Sequence, residues 1–232
     1  MRRGYPERIV CLTEETTETL YLLGEEARIV GISGFTVRPP RARREKPKVS
    51  AFTSAKTGRI VALRPDLVLG FSDLQAGIAA DLAREGIEVH LFNHRSVAEI
   101  LRMIRMLGGM VGCAQKAEAL AGRLEAGVAA TREAASRLPR RPRVYFEEWD
   151  EPLIAGIGWI SELVGIAGGE AGLERGHQVR DLGRSGRLGR GGDLLAGRLA
   201  LDQLEHLLAV LVAVARGVEV GGEGVDELAG HQ

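Results

Sequence analysis

The sequence predicts an α/β protein: two Rossmann-like lobes joined by a long α-helix, with the second lobe incomplete. Three observations carry that expectation. Up to residue 111, short apolar runs alternate with amphipathic, helix-like segments, the pattern of parallel β-α units. Residues 113–138 then read as one helix. They contain no proline, are rich in Ala, Glu, Arg and Leu, and carry an apolar stripe of Ala117, Leu120, Leu124, Val128, Thr131, Ala135 and Leu138. At about 1.5 Å per residue that helix is about 39 Å long, the width of a small domain. After Pro139 and Pro142 a new strand-like run, RVYFEEW, begins. The expected division is residues 1–112, a linker over 113–138, and a partial lobe over 139–232.

Within the first lobe, RIVCLT at residues 8–13 is apolar and β-branched and reads as a buried strand. EETTETLYLLG supplies a helix closed by Gly24, and ARIVGIS a second strand. Residues 37–48, rich in Pro and Arg, read as a surface loop. KVSAF is a short strand, and TGRIVAL a short helix stopped by Arg64-Pro65. DLVLGF is the next strand, followed by a helix capped by Ser72 or Asp73. IEVHLFN is the last strand of the lobe, and residues 97–111 form a helix that leads into the long one.

In the second lobe a strand over residues 143–149, a polar break and a helix over 160–167 ended by Gly168-Gly169 are expected. From residue 171 the composition changes. The last 62 residues use ten residue types, include 13 glycines, and lack Pro, Ile, Lys and every aromatic. A lobe core normally needs that bulk, and its turns need that punctuation. The expectation is a tail read out of frame, which sequencing of the coding DNA tests.

Composition narrows the function. Lys plus Arg and Asp plus Glu are both 31, so neither a nucleic-acid surface nor a polybasic membrane patch is expected. Cys11 and Cys113 form no CxxC or Cys/His cluster. The longest apolar run, residues 207–215, falls well short of the ~20 residues a bilayer span needs. The amino terminus has a basic start but no apolar core and no small-residue cleavage site, so a cytoplasmic location is expected as encoded.

Candidate binding residues lie where parallel-sheet loops face a cleft. They are Thr13, Glu14, Glu15 and Thr16, Phe35, Phe52, Phe71 with Ser72, and Asn93, with Trp149, Asp150 and Trp159 facing them from the second lobe. A phenylalanine recurs at four consecutive strand ends, which points to a large, partly apolar ligand, although each is equally able to be ordinary core. Glu147, Glu148 and Asp150 form an acidic run that reads more simply as a solvated loop than as a catalytic pair. His90 and His94 are four apart on a strand and do not make a metal site. Cys11 reads as packing. Gly183, Gly186, Gly189 and Gly191 follow no strand and make a weak phosphate loop.

RIVCLTEETTETLYLLG, RIVGISGFTVRPP, RPDLVLG, AREGIEVHLFN and the closing W-x-x-E-L-x-x-x-A-G-G at residues 159–169 resemble the long-helix class of ABC-transporter substrate-binding proteins. That class takes up cobalamin, ferric siderophores and haem. The likeness covers about residues 8–170, and the cobalamin-binding branch is the most similar. It implies a non-catalytic binder without a cofactor of its own, whose ligand is a corrinoid and whose partner is an ABC permease. It places Phe35 and Phe71 against the corrin, Thr13 to Thr16 on a ligand-facing loop, and Trp149 and Trp159 over the ligand from the second lobe. Three departures stand against it: the absent export signal, the change at Glu170, and Thr57-Gly58-Arg59 where many members carry a permease-docking Glu. A ferric-siderophore or haem binder is the alternative within the family, with Arg38, Arg41, Arg43 and Arg44 as the dense basic group. From other classes come a chelatase-like α/β enzyme using His94 with Glu147 or Glu148, and a bare interaction module.

Overall fold

The computed structural model describes residues 4–144, 146, 149–150, 153–154 and 156–171. The tail expected to be out of frame, from residue 172 onward, lies outside them, as do Glu147 and Glu148. The chain divides into two compact units. One comprises residues up to His94 together with Ala98–Arg123; the other comprises Arg95–Val97 and the described residues from Leu124 onward.

The first unit is built on five parallel strands: β1 (Ile9–Cys11), β2 (Ile29–Ser33), β3 (Lys48–Ser50), β4 (Leu67–Phe71) and β5 (Val89–Phe92), in the order β3-β2-β1-β4-β5. In register, Ile9 pairs with Leu67, Val10 with Val68 and Cys11 with Leu69. β1 and β4 are buried along their whole length, which is why they read as continuous apolar runs. Right-handed crossovers running in opposite directions along the sheet place their helices on opposite faces. Accordingly α3 (Thr57–Ala62) and α4 (Ala76–Arg84) cover the face of Val10, Leu12, Val49 and Val68, where Ile60 and Leu82 complete a fully buried cluster. α1 (Glu14–Leu22) lies on the Cys11 side, where Thr16 and Thr17 hydrogen-bond the thiol. Each aliphatic side chain fully buried in this way contributes about 1.5–3 kcal/mol.

Several expected boundaries shift for identifiable reasons. β2 begins at Ile29, not Ala27, because Glu26–Arg28 form a 3₁₀ turn pinned by the Arg28–Glu25 ion pair at 2.7 Å. The expected loop 37–48 contains a short helix, α2 (Ala42–Glu45). Its Ala42 is buried, and its Glu45 accepts a 2.8 Å bond from the Tyr21 hydroxyl, with the Arg41 guanidinium over the Tyr21 ring. Ser72 does cap the segment after β4, through a bond from Leu74 N–H, but Asp73–Gln75 form a 3₁₀ turn before α4. α5 (Val97–Met110) leads into α6 (Ala114–Ala135), which stops three residues short of the expected Leu138 in a turn closed by Leu138 N–H to the Ala135 carbonyl.

In the second unit, β6 (Arg143–Val144) pairs in parallel with β9 (Glu170–Ala171). The single strand expected over 143–149 is broken. Trp149–Asp150 form β7, which pairs antiparallel with β8 (Leu153–Ile154); the intervening residues 151 and 152 lie outside the described residues. α7 (Gly158–Ile166) starts two residues earlier than expected and carries Trp159 in its first turn. Gly168, at φ +84°, ends it as expected. Glu162 in α7 accepts the Val97 N–H at 2.8 Å, which satisfies one donor at the start of α5.

Candidate functional site

In an open parallel sheet the ligand crevice lies beyond the strand carboxyl ends, where the direction of the connections reverses. Here β1 leads outward to β2 and β4 leads the other way to β5, so that point falls between β1 and β4. The loops around it carry most of the candidate residues.

After β1, Thr13 is extended (φ −140°, ψ 166°) and stands at the N-cap position of α1, without a side-chain bond to the helix N–H groups. Its hydroxyl donates to Glu15 Oε1 at 2.7 Å, and its carbonyl accepts from the Thr16 and Thr17 hydroxyls. Thr13 and Thr16 are buried, with their hydroxyls turned inward to their own turn and, for Thr16, to the Cys11 thiol; Glu14 and Glu15 are half-buried in the first turn of α1, where the helix dipole favours them. Burial pushes the Cys11 thiol up to about 12, against the lowering effect of its bonds to Thr16 and Thr17, so it stays protonated and unreactive.

After β2, Phe35 stands 59% exposed on a braced turn. Its N–H donates to Ser33 Oγ at 3.1 Å, and Arg43 Nη1 donates to both the Gly34 and Thr36 carbonyls at 2.7 Å. After β3, residues 51–54 form a tight finger closed by Ala51 N–H to the Ser54 carbonyl and by the Ser50–Ala55 bridge, with half-buried Phe52 on it.

After β4, Ser72 has φ 70° and ψ 162°, a region that favours glycine. It is held there by a 2.7 Å bond from its N–H to the Phe92 carbonyl and by its Oγ, which accepts from Leu74 N–H at 3.1 Å. The turn thrusts Leu74 out at 61% exposure. Gln75 is fully buried behind it. After β5, Asn93 is exposed, and His94 is buried with its ring 4.6 Å from that of Phe71.

The four strand-end phenylalanines therefore divide. Phe71 and Phe92 are core, Phe92 lying edge-on to His90 at 4.4 Å, whereas Phe35 is exposed and Phe52 half-buried. The structure thus brings Phe35, Phe52, Glu14, Glu15, Ser72 and Asn93 to one edge of the first unit. Trp149 and Asp150 lie in β7 of the second unit. Trp159 there is buried on α7, its indole N–H without an acceptor among the described residues. Leu74 and Gln75 are additions that the sequence did not flag, since an aliphatic and an amide at a helix start carry no distinctive pattern. Among the described residues, no cluster of three His, Cys, Asp or Glu side chains is arranged to hold a metal ion. No described helix is long and apolar enough to cross a membrane.

Comparison with known proteins identifies the family. Residues 9–185 match the family described as periplasmic binding protein, so the likeness runs past Glu170, where it was expected to stop. The cobalamin-binding protein of Halobacterium salinarum (strain ATCC 29341 / DSM 671 / R1) is 26% identical over 215 residues, covering 90% of this chain and 58% of that protein. The vitamin B12-binding protein of Vibrio parahaemolyticus is 26% identical over 167 residues, covering 71% of this chain and 60% of its own length. The chain thus spans less than two thirds of these relatives. Among solved structures, the apo periplasmic heme-binding protein RhuT from Roseiflexus sp. RS-1 superposes with a TM-score of 0.64 at 25% identity, over 71% of this chain and 65% of that one. The periplasmic vitamin B12 binding protein BtuF of Vibrio cholerae gives 0.61 at 23% identity, over 72% and 66%, a likeness of fold. On the extent of the family match and the five-stranded parallel unit that underlies it, the chain belongs to the periplasmic binding protein family.

Proposed function

We propose that the chain is the substrate-binding component of an ABC-type uptake system and that its ligand is a corrinoid, cobalamin being the first candidate. The observation that carries this reading is the pair of large apolar side chains, Phe35 and Leu74, exposed beyond the strand ends around a polar rim of Glu14, Glu15 and Asn93. Both sit on turns fixed by hydrogen bonds, so the cost of ordering them is met in folding rather than in binding. A broad macrocycle edged with amides suits such a surface: an apolar face against Phe35, Phe52 and Leu74, and hydrogen-bonding edges against the rim. The cobalamin- and vitamin B12-binding relatives favour the same ligand. Phe71, Ser72, Thr13 and Thr16 shape the surface from beneath. Trp149, Asp150 and Trp159 remain candidates of the second unit.

A ferric-siderophore reading draws less support, because three of its four arginines are occupied. Arg38 pairs with Glu18 at 3.9 Å, Arg41 with Glu26 at 3.1 Å, and Arg43 braces the Phe35 turn. The partner in this reading is an ABC permease, docked without a carboxylate at exposed Gly58, and the site of action is the periplasm or its equivalent, as for the family.

Titration of the full chain with cyanocobalamin, followed by tryptophan fluorescence and heat, tests this, with haemin and a ferric hydroxamate as controls. Saturable binding of cyanocobalamin is expected. Phe35→Ala and Leu74→Ala should each weaken it by about tenfold, the effect of losing one well-packed apolar contact. Absence of cyanocobalamin binding by the folded chain, or binding indifferent to both substitutions, overturns the reading. Haemin binding that depends on Phe35 would move the ligand to haem.

A further inference from the structure

We infer that Gln75 is a positioning residue: it holds the 51–54 finger, and Phe52 with it, across the switch point in the arrangement that receives ligand. The ligand half of this inference rests on the proposed function; the mechanical half does not. β3 and β4 are not neighbours, since β2 and β1 lie between them, about 14 Å of sheet at the usual strand spacing. Nevertheless the loop after β3 reaches the turn after β4. Its root is pinned at two strands: Gly34 N–H donates to the Ser50 carbonyl at 2.7 Å, and Ser50 Oγ donates to the Leu12 carbonyl at 3.4 Å.

The far end is held by one side chain. Gln75 Nε2 donates to the Phe52 carbonyl at 2.8 Å, and Gln75 Oε1 accepts the Phe71 N–H at 3.0 Å. The carboxamide is fully buried, and Gly70 makes room for it. A Cβ at Gly70 would lie 2.5 Å from Gln75 Oε1 and 2.7 Å from Leu91. Gln75 directly follows exposed Leu74, in the turn that Ser72 constrains. One buried amide therefore fixes the spacing between Phe52 and Leu74, two apolar groups of the proposed ligand surface. Removing it frees the tip of the finger and leaves the root in place.

The test uses the full chain and the variants Gln75→Met, which keeps the length and loses both bonds, and Gln75→Glu, read at a pH high enough to ionise its buried carboxyl, which then keeps the acceptor for Phe71 N–H and loses the donor to Phe52. Gln75→Glu covers the case in which loss of both bonds unfolds the protein. Amide exchange in the apo chain should rise at Ala51, whose N–H closes the finger, in both variants, and stay unchanged at Gly34. Cyanocobalamin affinity, measured well below the unfolding transition, should fall by about tenfold for loss of one positioned contact. In the Phe52→Ala background the Gln75 substitution should cost little more, whereas in the Phe35→Ala background it should cost its full effect. A purely structural glutamine lowers the unfolding midpoint but gives equal, additive losses in both backgrounds, and that result overturns the inference. So does unchanged exchange at Ala51. If the wild-type chain takes up no cyanocobalamin, the proposed function falls on its own, and the exchange comparison still decides whether Gln75 holds the finger.

Discussion

Ser72 joins a local backbone cost to a functional position. With φ 70° and ψ 162° its Cβ crowds the neighbouring carbonyls, at a cost on the order of 1–3 kcal/mol that glycine would not incur. The surroundings enforce the conformation from both sides, through the bond to Phe92 and the cap to Leu74. Ser72→Gly and Ser72→Ala both lose the Oγ bond, but only alanine keeps the crowding. We therefore predict that the glycine variant is the more stable of the two by about 1–3 kcal/mol, the reverse of the usual order of these residues. Urea unfolding of both variants measures this, and an alanine variant at least as stable as the glycine one would show that no strain is stored. None of this was legible in the string SDLQ, which announces a cap but not the handedness of the residue that provides it. Thr13 and Thr16 are the opposite case. Their position after the first strand was legible, whereas the inward use of their hydroxyls depends on the turn geometry of α1.

Among the elements, α5 and α6 meet at a glycine. A Cβ on Gly108 would collide with the Cβ of Ala117, so the two helices approach at backbone distance there. Arg105 bridges the same pair with a two-pronged bond to Glu118, at 2.8 and 2.9 Å, and that bond holds the Glu118 carboxyl below the usual carboxylate range. Packing outweighs charge at this contact, because Glu118 is exposed to water, which screens the ion pair. Gly108→Val should destabilise the chain by about 1–3 kcal/mol through overpacking, whereas Glu118→Gln should leave the unfolding midpoint almost unchanged. Thermal unfolding of the two variants decides, and a larger loss for Glu118→Gln would reverse the ranking. The long helix itself was readable from the stripe running from Ala117 to Val128, because periodicity survives without tertiary information. Gly108 was not readable, since a glycine inside a helix registers from sequence only as a weakness. For the same reason the four strand-end phenylalanines could be found but not sorted. Which of them point outward is fixed by register and by the turns after each strand, down to Arg43 and Gln75.

At the scale of the whole molecule, charge and stability respond to pH in opposite directions. The 31 basic and 31 acidic side chains cancel and the isoelectric point is close to 7.0, so near neutrality little net repulsion keeps copies of the chain apart. Acidification below pH 7 adds positive charge as histidines take up protons. Self-association should therefore be greatest near pH 7 and decline as the solution is acidified towards 6. Stability should move the other way. Burial holds the His90 imidazole below the usual histidine range, so in mildly acid solution the unfolded chain binds the proton that the folded chain refuses. The contribution is fully present above the unfolded value of about 6.5 and is lost as the pH falls from there towards the lower folded value. Light scattering and thermal unfolding across pH 5.5 to 8.5 would measure the two together. The expected result is weaker scattering but a lower unfolding midpoint at the acid end, with His90→Asn flattening the decline in the midpoint and leaving the scattering trend in place. A midpoint whose acid decline is the same in His90→Asn would remove His90 as its source, and scattering that is least at pH 8 would mean that apolar contact rather than net charge governs association.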